Sequence, residues 1–421
     1  MFYRNFWFRV LVLAWTVALL SACGGGGGAA SADTSTKNPP TLNNQPSVPA
    51  VRNLLSVTVD AGPAGTGGNV NRLYANVTVC FPGSITRCQT IDHVLVDTGS
   101  AGLRLLSSVM APALNLNRLT STSGQPLLNC AQFVDNSFAW GPVAIADVVL
   151  AGRSAASVPI QVMADPAFNS LVDTCSVGGT AITTAAILGA NGILGLGLFK
   201  EDCGAGCEVT TANGFYYTCT DPGCAAVTGA RVSRAQQVKN PVPLFAADNN
   251  GVMIDLPSVS SDGAAALTGA LIFGIGTQSN NQFTPGAVLT TGSTGYISTS
   301  FAGRNFSNSF LDTGSNAYFF DSTTLPTCAG SSAGFYCPSA RTSLSATLSG
   351  LNGVVVPMTF EVDNALALFA GSSRTALPTL SGPIGRGRTF DWGLPFFYGR
   401  RVLMGIEGQP SPLGAGPFYA F

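Results

Sequence analysis

Along most of the chain, Val, Ala, Leu and Ile occur in short runs that alternate with Gly, Ser and Thr. That pattern predicts a mainly β protein with many tight turns. Two of the runs end in the same way: Val94-Leu95-Val96 leads into Asp97-Thr98-Gly99-Ser100, and Phe310-Leu311 leads into Asp312-Thr313-Gly314-Ser315. A strand that stops at Asp and turns through Thr-Gly presents a carboxylate at its end. Two such presentations predict two related lobes that share one site, where paired carboxylates act as an acid–base device.

The run Val10–Leu20 is different, being apolar without alternation, preceded by Arg4 and Arg9, and too short for a comfortable membrane span. Residues 1–22 therefore read as a signal peptide. The segment Leu20-Ser21-Ala22-Cys23 resembles the lipobox of bacterial lipoproteins, which implies lipid attachment at Cys23; an ordinary cleaved signal with an incidental Cys is the plainer alternative. Residues 23–50, beginning with Gly24–Gly28 and continuing rich in Ser, Thr, Asn and Pro, have the composition of a flexible linker. The expectation is an extracytoplasmic protein of the cell envelope, anchored to a membrane and not spanning it.

Composition narrows the function classes. Only 10% of residues are charged, 46% are hydrophobic, 50 of 421 are Gly, and the formal net charge is −1. No basic surface invites nucleic acid, and the remaining length suits two lobes. Boundaries are expected at 51–285 for a first lobe with an inter-lobe sheet, including a Cys-rich insertion over 201–240, and at 286–421 for a second lobe. A monomer is expected.

Besides Cys23 there are ten cysteines, an even number that favours disulfides in an exported chain. Cys80–Cys88 and Cys328–Cys337 are close enough to close small loops, and Cys130–Cys175 is a longer bridge. Cys203, Cys207, Cys219 and Cys224 staple the insertion with pairing left open; a four-thiolate zinc site is the alternative, at a spacing off the usual pattern. No metal or cofactor is expected. The single histidine, His93, excludes multi-histidine metal sites and reads as a satisfied strand residue. Gly192–Gly197 lacks the spacing of a nucleotide-binding loop.

The doubled Asp-Thr-Gly-Ser, with Asn191-Gly192-Ile193-Leu194-Gly195-Leu196 after the first copy and Trp392-Gly393-Leu394-Pro395-Phe396-Phe397 after the second, resembles the pepsin-type, two-lobed aspartic peptidases. Pro243-Leu244-Phe245 with Gly269–Gly274 resembles that family's crossover into the inter-lobe sheet, and Phe418–Phe421 its closing strand. The resemblance spans roughly Ser56 to Phe421 and implies an all-β, two-lobed fold with a cleft between lobes. It implies that Asp97 and Asp312 hold a water and attack a peptide bond. Thr98 and Thr313 would interlock beneath them, Gly99 and Gly314 would permit the close turn, and Ser100 and Ser315 would bond the outer carboxylate oxygens. The partners implied are a peptide or protein substrate.

The chain also departs from the family. A flap hairpin is expected between about Asn129 and Gly152, but that stretch has no Tyr, leaving Phe133, Phe138 and Trp140 as aromatics to cover the site or serve as core. Arg104 stands where the family has a Trp, and Asn316 where it has a small hydroxyl residue, so a substrate contact there is altered. Lys37 in the linker and Arg52 just after it are the only basic residues there, so no basic pro-segment is visible. Two functions follow: an aspartic endopeptidase, or an inactive peptide-binding scaffold at the envelope.

Overall fold

A computed structural model describes residues 52–221, 223–371 and 373–421. The signal peptide 1–22, Cys23 and the linker 23–50 lie outside the described residues. The fold is mainly β, as the alternation predicts, with one sheet of 17 strands and another of seven. Alternation is clearest in Val355–Val362, where Met358, Phe360 and Val362 face the core and the residues between them face out. Pro357 is tolerated in that strand because it lies at the edge of the seven-stranded sheet.

Both Asp-Thr-Gly-Ser turns are built in the same way. The strand Cys88–Asp97 runs parallel to Gly192–Leu196, which also pairs antiparallel with Ala101–Leu106. The strand Gly192–Leu196 therefore threads between the two arms of the Asp97 turn. In the second half, Thr389–Trp392 runs parallel to Arg304–Leu311 and antiparallel to Tyr318–Phe320, threading the Asp312 turn likewise. The later apolar-Gly segments thus lie directly beside the two carboxylate turns.

Six strands join the halves. Leu54–Val59 pairs with Leu267–Phe273, which pairs with Gly251–Asp255, then Arg401–Gly405, Phe418–Ala420 and Val288–Thr290, all antiparallel. Beneath the second turn the core is aromatic, with Phe390 stacked on Trp392 at 4.4 Å and on Phe320 at 4.7 Å. The fully buried Trp392 donates its indole N–H to Thr299 Oγ1 at 3.0 Å, so its polar end is satisfied.

The ten cysteines among the described residues form Cys80–Cys88, Cys130–Cys175, Cys203–Cys207, Cys219–Cys224 and Cys328–Cys337. This resolves the open pairing: the four thiols of the insertion are taken up as two local disulfides, which overturns the zinc alternative. Five disulfides fit an oxidising, extracytoplasmic location. Among the described residues no helix is long and apolar enough to cross a membrane.

Arg104 does not face a substrate. It is buried and pairs with buried Asp202 at 3.0 Å, while Tyr216 donates its hydroxyl to Asp202 at 2.6 Å and Asn129 its amide at 2.9 Å. Burial pushes the Asp202 carboxyl up, and Arg104 and these donors pull it back. Arg104 thus ties the Cys-rich insertion to the strand Ala101–Leu106. Removing one partner leaves an uncompensated buried charge. Arg104→Ala is expected to lower unfolding free energy by about 3–5 kcal/mol, measured by urea denaturation.

Candidate active site

The two turns meet at their bases. Thr98 Oγ1 donates to Leu311 O at 3.1 Å and accepts from Thr313 N–H at 3.0 Å. Reciprocally, Thr313 Oγ1 donates to Val96 O at 2.7 Å and accepts from Thr98 N–H at 3.2 Å. Each hydroxyl therefore reaches across the seam and satisfies a buried N–H and a buried C=O of the opposite strand end. This network places Asp97 and Asp312 next to each other, so that their Oδ1 atoms converge on one donor, the Gly99 N–H.

Each carboxyl has its own donors. Asp97 Oδ1 accepts from Gly99 N–H at 2.8 Å, and its Oδ2 from Ser100 Oγ at 2.5 Å. Asp312 Oδ1 accepts from Gly314 N–H at 2.7 Å and Gly99 N–H at 3.1 Å, and its Oδ2 from Ser315 Oγ at 2.8 Å. A side chain at either glycine would collide with the dyad. A Cβ on Gly99 would sit 2.7 Å from Asp312 Cγ, and one on Gly314 would sit 2.8 Å from Asp97 Oδ1. Asp97 and Asp312 are 6% and 7% exposed, so the pair is largely withdrawn from bulk water.

Burial, together with the charge of Asp97 beside it, pushes the Asp312 carboxyl up to about 8; Ser315 and the Gly314 N–H pull the other way. Two carboxylates in contact cannot both ionise cheaply, so a proton is retained in the pair. One carboxyl can then accept a proton from a water while the other donates to a developing oxyanion.

The other residues singled out in the sequence divide. Asn316 follows the second turn; its carbonyl accepts from Asn71 Nδ2 at 2.8 Å, and its half-buried side chain makes no hydrogen bond among the described residues. The expected hairpin is present as Leu127–Gln132 and Ser137–Leu150, and of the two roles open to Phe138 and Trp140 their packing is that of core residues. Both are buried, packed with Leu128, Tyr217 and the Cys130–Cys175 and Cys219–Cys224 bridges, and the Trp140 indole donates to Phe168 O at 2.8 Å. The physical reason is that the insertion covers that face of the hairpin, and the aromatics fill the space between them. At the hairpin tip, Arg386 of the second half donates to Val134 O at 2.9 Å and Asn136 Oδ1 at 3.1 Å. His93 is held by Asp92 at 2.8 Å and Asp60 at 3.4 Å.

One polar residue of this region escaped the sequence reading. Asp391 is fully buried in Thr389–Trp392, and its Oδ2 lies 2.6 Å from Ser315 Oγ. A lone charged residue inside the apolar run Phe390-Asp391-Trp392-Gly393 was the available signal. A surface cavity of about 650 Å³ is lined by Asp60, Asn69, Phe335, Phe369 and Arg374 among others, and by none of the dyad residues.

Two carboxyls presented by paired, threaded turns define a dicarboxylate site in a mainly β fold. Residues 49–421 match the family described as protein of unknown function (DUF3443), and the chain belongs to that family. Among solved structures, an aspartic proteinase from Irpex lacteus is similar at 15% identity and a TM-score of 0.41, covering 87% of this chain and 96% of that one. No curated protein matches the chain.

The raised Asp312 links folding to pH. The folded state keeps a proton that an unfolded Asp, titrating near 3.8, has released, so this group's contribution is full below about 3.8 and is lost as pH rises toward about 8. Asp312→Asn removes that loss. The melting temperature of Asp312→Asn is expected to exceed that of the parent by more at pH 7 than at pH 4, measured by scanning calorimetry.

Proposed function

We propose that the protein is an aspartic endopeptidase, hydrolysing peptide bonds with a water activated between Asp97 and Asp312. The observation that carries this reading is the convergence of the two carboxyls on the shared Gly99 N–H, with Ser100 on Asp97 and Ser315 and the Gly314 N–H on Asp312. In this mechanism the ionised carboxyl takes a proton from the water, the oxygen of which attacks the peptide carbonyl. The protonated partner hydrogen-bonds the developing oxyanion, and the proton then passes to the leaving amine. Thr98 and Thr313 hold the pair together, Ser100 and Ser315 orient the outer oxygens, and Asn316 offers a free side-chain amide to the substrate backbone.

The same proposal includes the setting. Processing after a signal at 1–22 and lipid attachment at Cys23 tether a monomer by the linker 23–50 to an envelope membrane. A first lobe over 51–285 and a second over 286–421 form the cleft. No metal, cofactor or nucleic acid enters the reaction.

A second reading is a peptide-binding scaffold without turnover. It is supported by the hairpin, which has no Tyr and turns Phe138 and Trp140 toward the insertion. Cleavage separates the two. The soluble protein from residue 52 onward is expected to cut casein or a peptide library, with Asp97→Asn reducing the rate at least 10³-fold, roughly the weight of a lost acid–base group. Because Asp312 holds its proton up to about 8, cleavage is expected to persist at neutral pH and to fall as pH rises past that value. A folded parent without cleavage from pH 3 to about 8 favours the scaffold.

A further inference from the structure

The two threaded strands are equivalent in register but not in chemistry. Ile193 lies across from Leu95, two residues before Asp97, and Asp391 lies across from Phe310, two residues before Asp312. The second half therefore has a carboxyl where the first has a hydrocarbon. Ser100 meets one carboxyl, whereas Ser315 Oγ sits between two, 2.8 Å from Asp312 Oδ2 and 2.6 Å from Asp391 Oδ2.

Hydrogen counting limits the arrangement. Two such contacts need two hydrogens, and a serine hydroxyl has one. The other must sit on a carboxyl. Asp312 shares its retained proton with Asp97 on the side where its Oδ1 accepts two backbone N–H groups, so it supplies no hydrogen to Ser315. Asp391 has no such support: its Oδ1 is buried with no partner, and no ion pair includes it among the described residues. The titratable groups facing it are Asp312, Asp97 and the Tyr419 phenol, none of them cationic.

We propose that Asp391 is a positioning residue of the dyad, which keeps its proton and donates it to Ser315 Oγ, so that Ser315 directs its own hydrogen at Asp312. Burial, then the charges of Asp312 and Asp97, push Asp391 well above the usual carboxylate range, in agreement with this assignment. A neutral Asp391 adds a hydrogen-bond chain without adding a further negative charge beside the pair. Its catalytic meaning rests on the peptidase reading, but its protonation does not.

The test is carboxyl ¹³C NMR of Asp-labelled protein, with signals assigned by their loss in Asp391→Asn and Asp312→Asn. In the parent, the Asp391 signal is expected to be that of a protonated acid at pH 7; titration in the ordinary carboxylate range overturns the proposal. Asp391→Asn, whose amide also donates to Ser315, is expected to leave the Asp312 titration in place. Asp391→Leu is expected to raise it by about half a unit to one unit, the scale of a weakened charge-assisted bond. Equal movement in both variants, or none in either, overturns the donor role. In an active protein, the alkaline limb of the cleavage profile moves with these titrations. Absent cleavage with the NMR pattern intact refutes the peptidase reading and leaves the Asp391 assignment standing.

Discussion

The exchange of hydrogen bonds between Thr98 and Thr313 is the constraint on which the site depends. Each hydroxyl satisfies a donor and an acceptor that belong to the other half, so neither turn base is complete alone. Leaving one of those buried groups unpaired costs on the order of 1–3 kcal/mol, which makes the interlock cooperative. With the bases fixed, the carboxyls two bonds away have little freedom to separate. Repulsion between them is then absorbed by retained protons and not by movement.

Around that fixed point the two halves differ. The first half surrounds its carboxyl with Ser100, the Gly99 N–H and an apolar strand at Ile193. The second places Ser315 between Asp312 and Asp391, with Tyr419 also facing the group. The near-symmetry of the backbone therefore supports an unsymmetrical electrostatic environment. Such a difference assigns different roles to two chemically identical side chains.

The sequence revealed the elements that repeat. Both Asp-Thr-Gly-Ser turns, the strands leading to them and the Gly segments threaded beside them were legible because each combines an apolar run with a turn whose chemistry is unusual. The mainly β class was legible from alternation, two of the five disulfides from spacing, and Cys130–Cys175 by what those left over. What was not legible depends on contacts far apart in sequence. Arg104 finds Asp202 98 residues away, and nothing local to either announces the pair. Phe138 and Trp140 alternate as strand residues should, but which face the insertion covers is decided by the fold of residues beyond 200. Asp391 was hidden because its meaning comes from Ser315, 76 residues earlier, and from a register that only paired strands display.

The disulfides also have a distribution. Four of them close within residues 80–224 and the fifth within 328–337, so among the described residues no covalent bridge joins one half to the other. Oxidation stiffens the periphery of each half and leaves the plane between them to hydrogen bonds and packing. The distance between the Asp97 and Asp312 carboxyls is therefore a noncovalent quantity, set by how six strands and two threonines register. A thiol reductant would loosen the margins of this molecule first, and its centre would be the last place to register the loss.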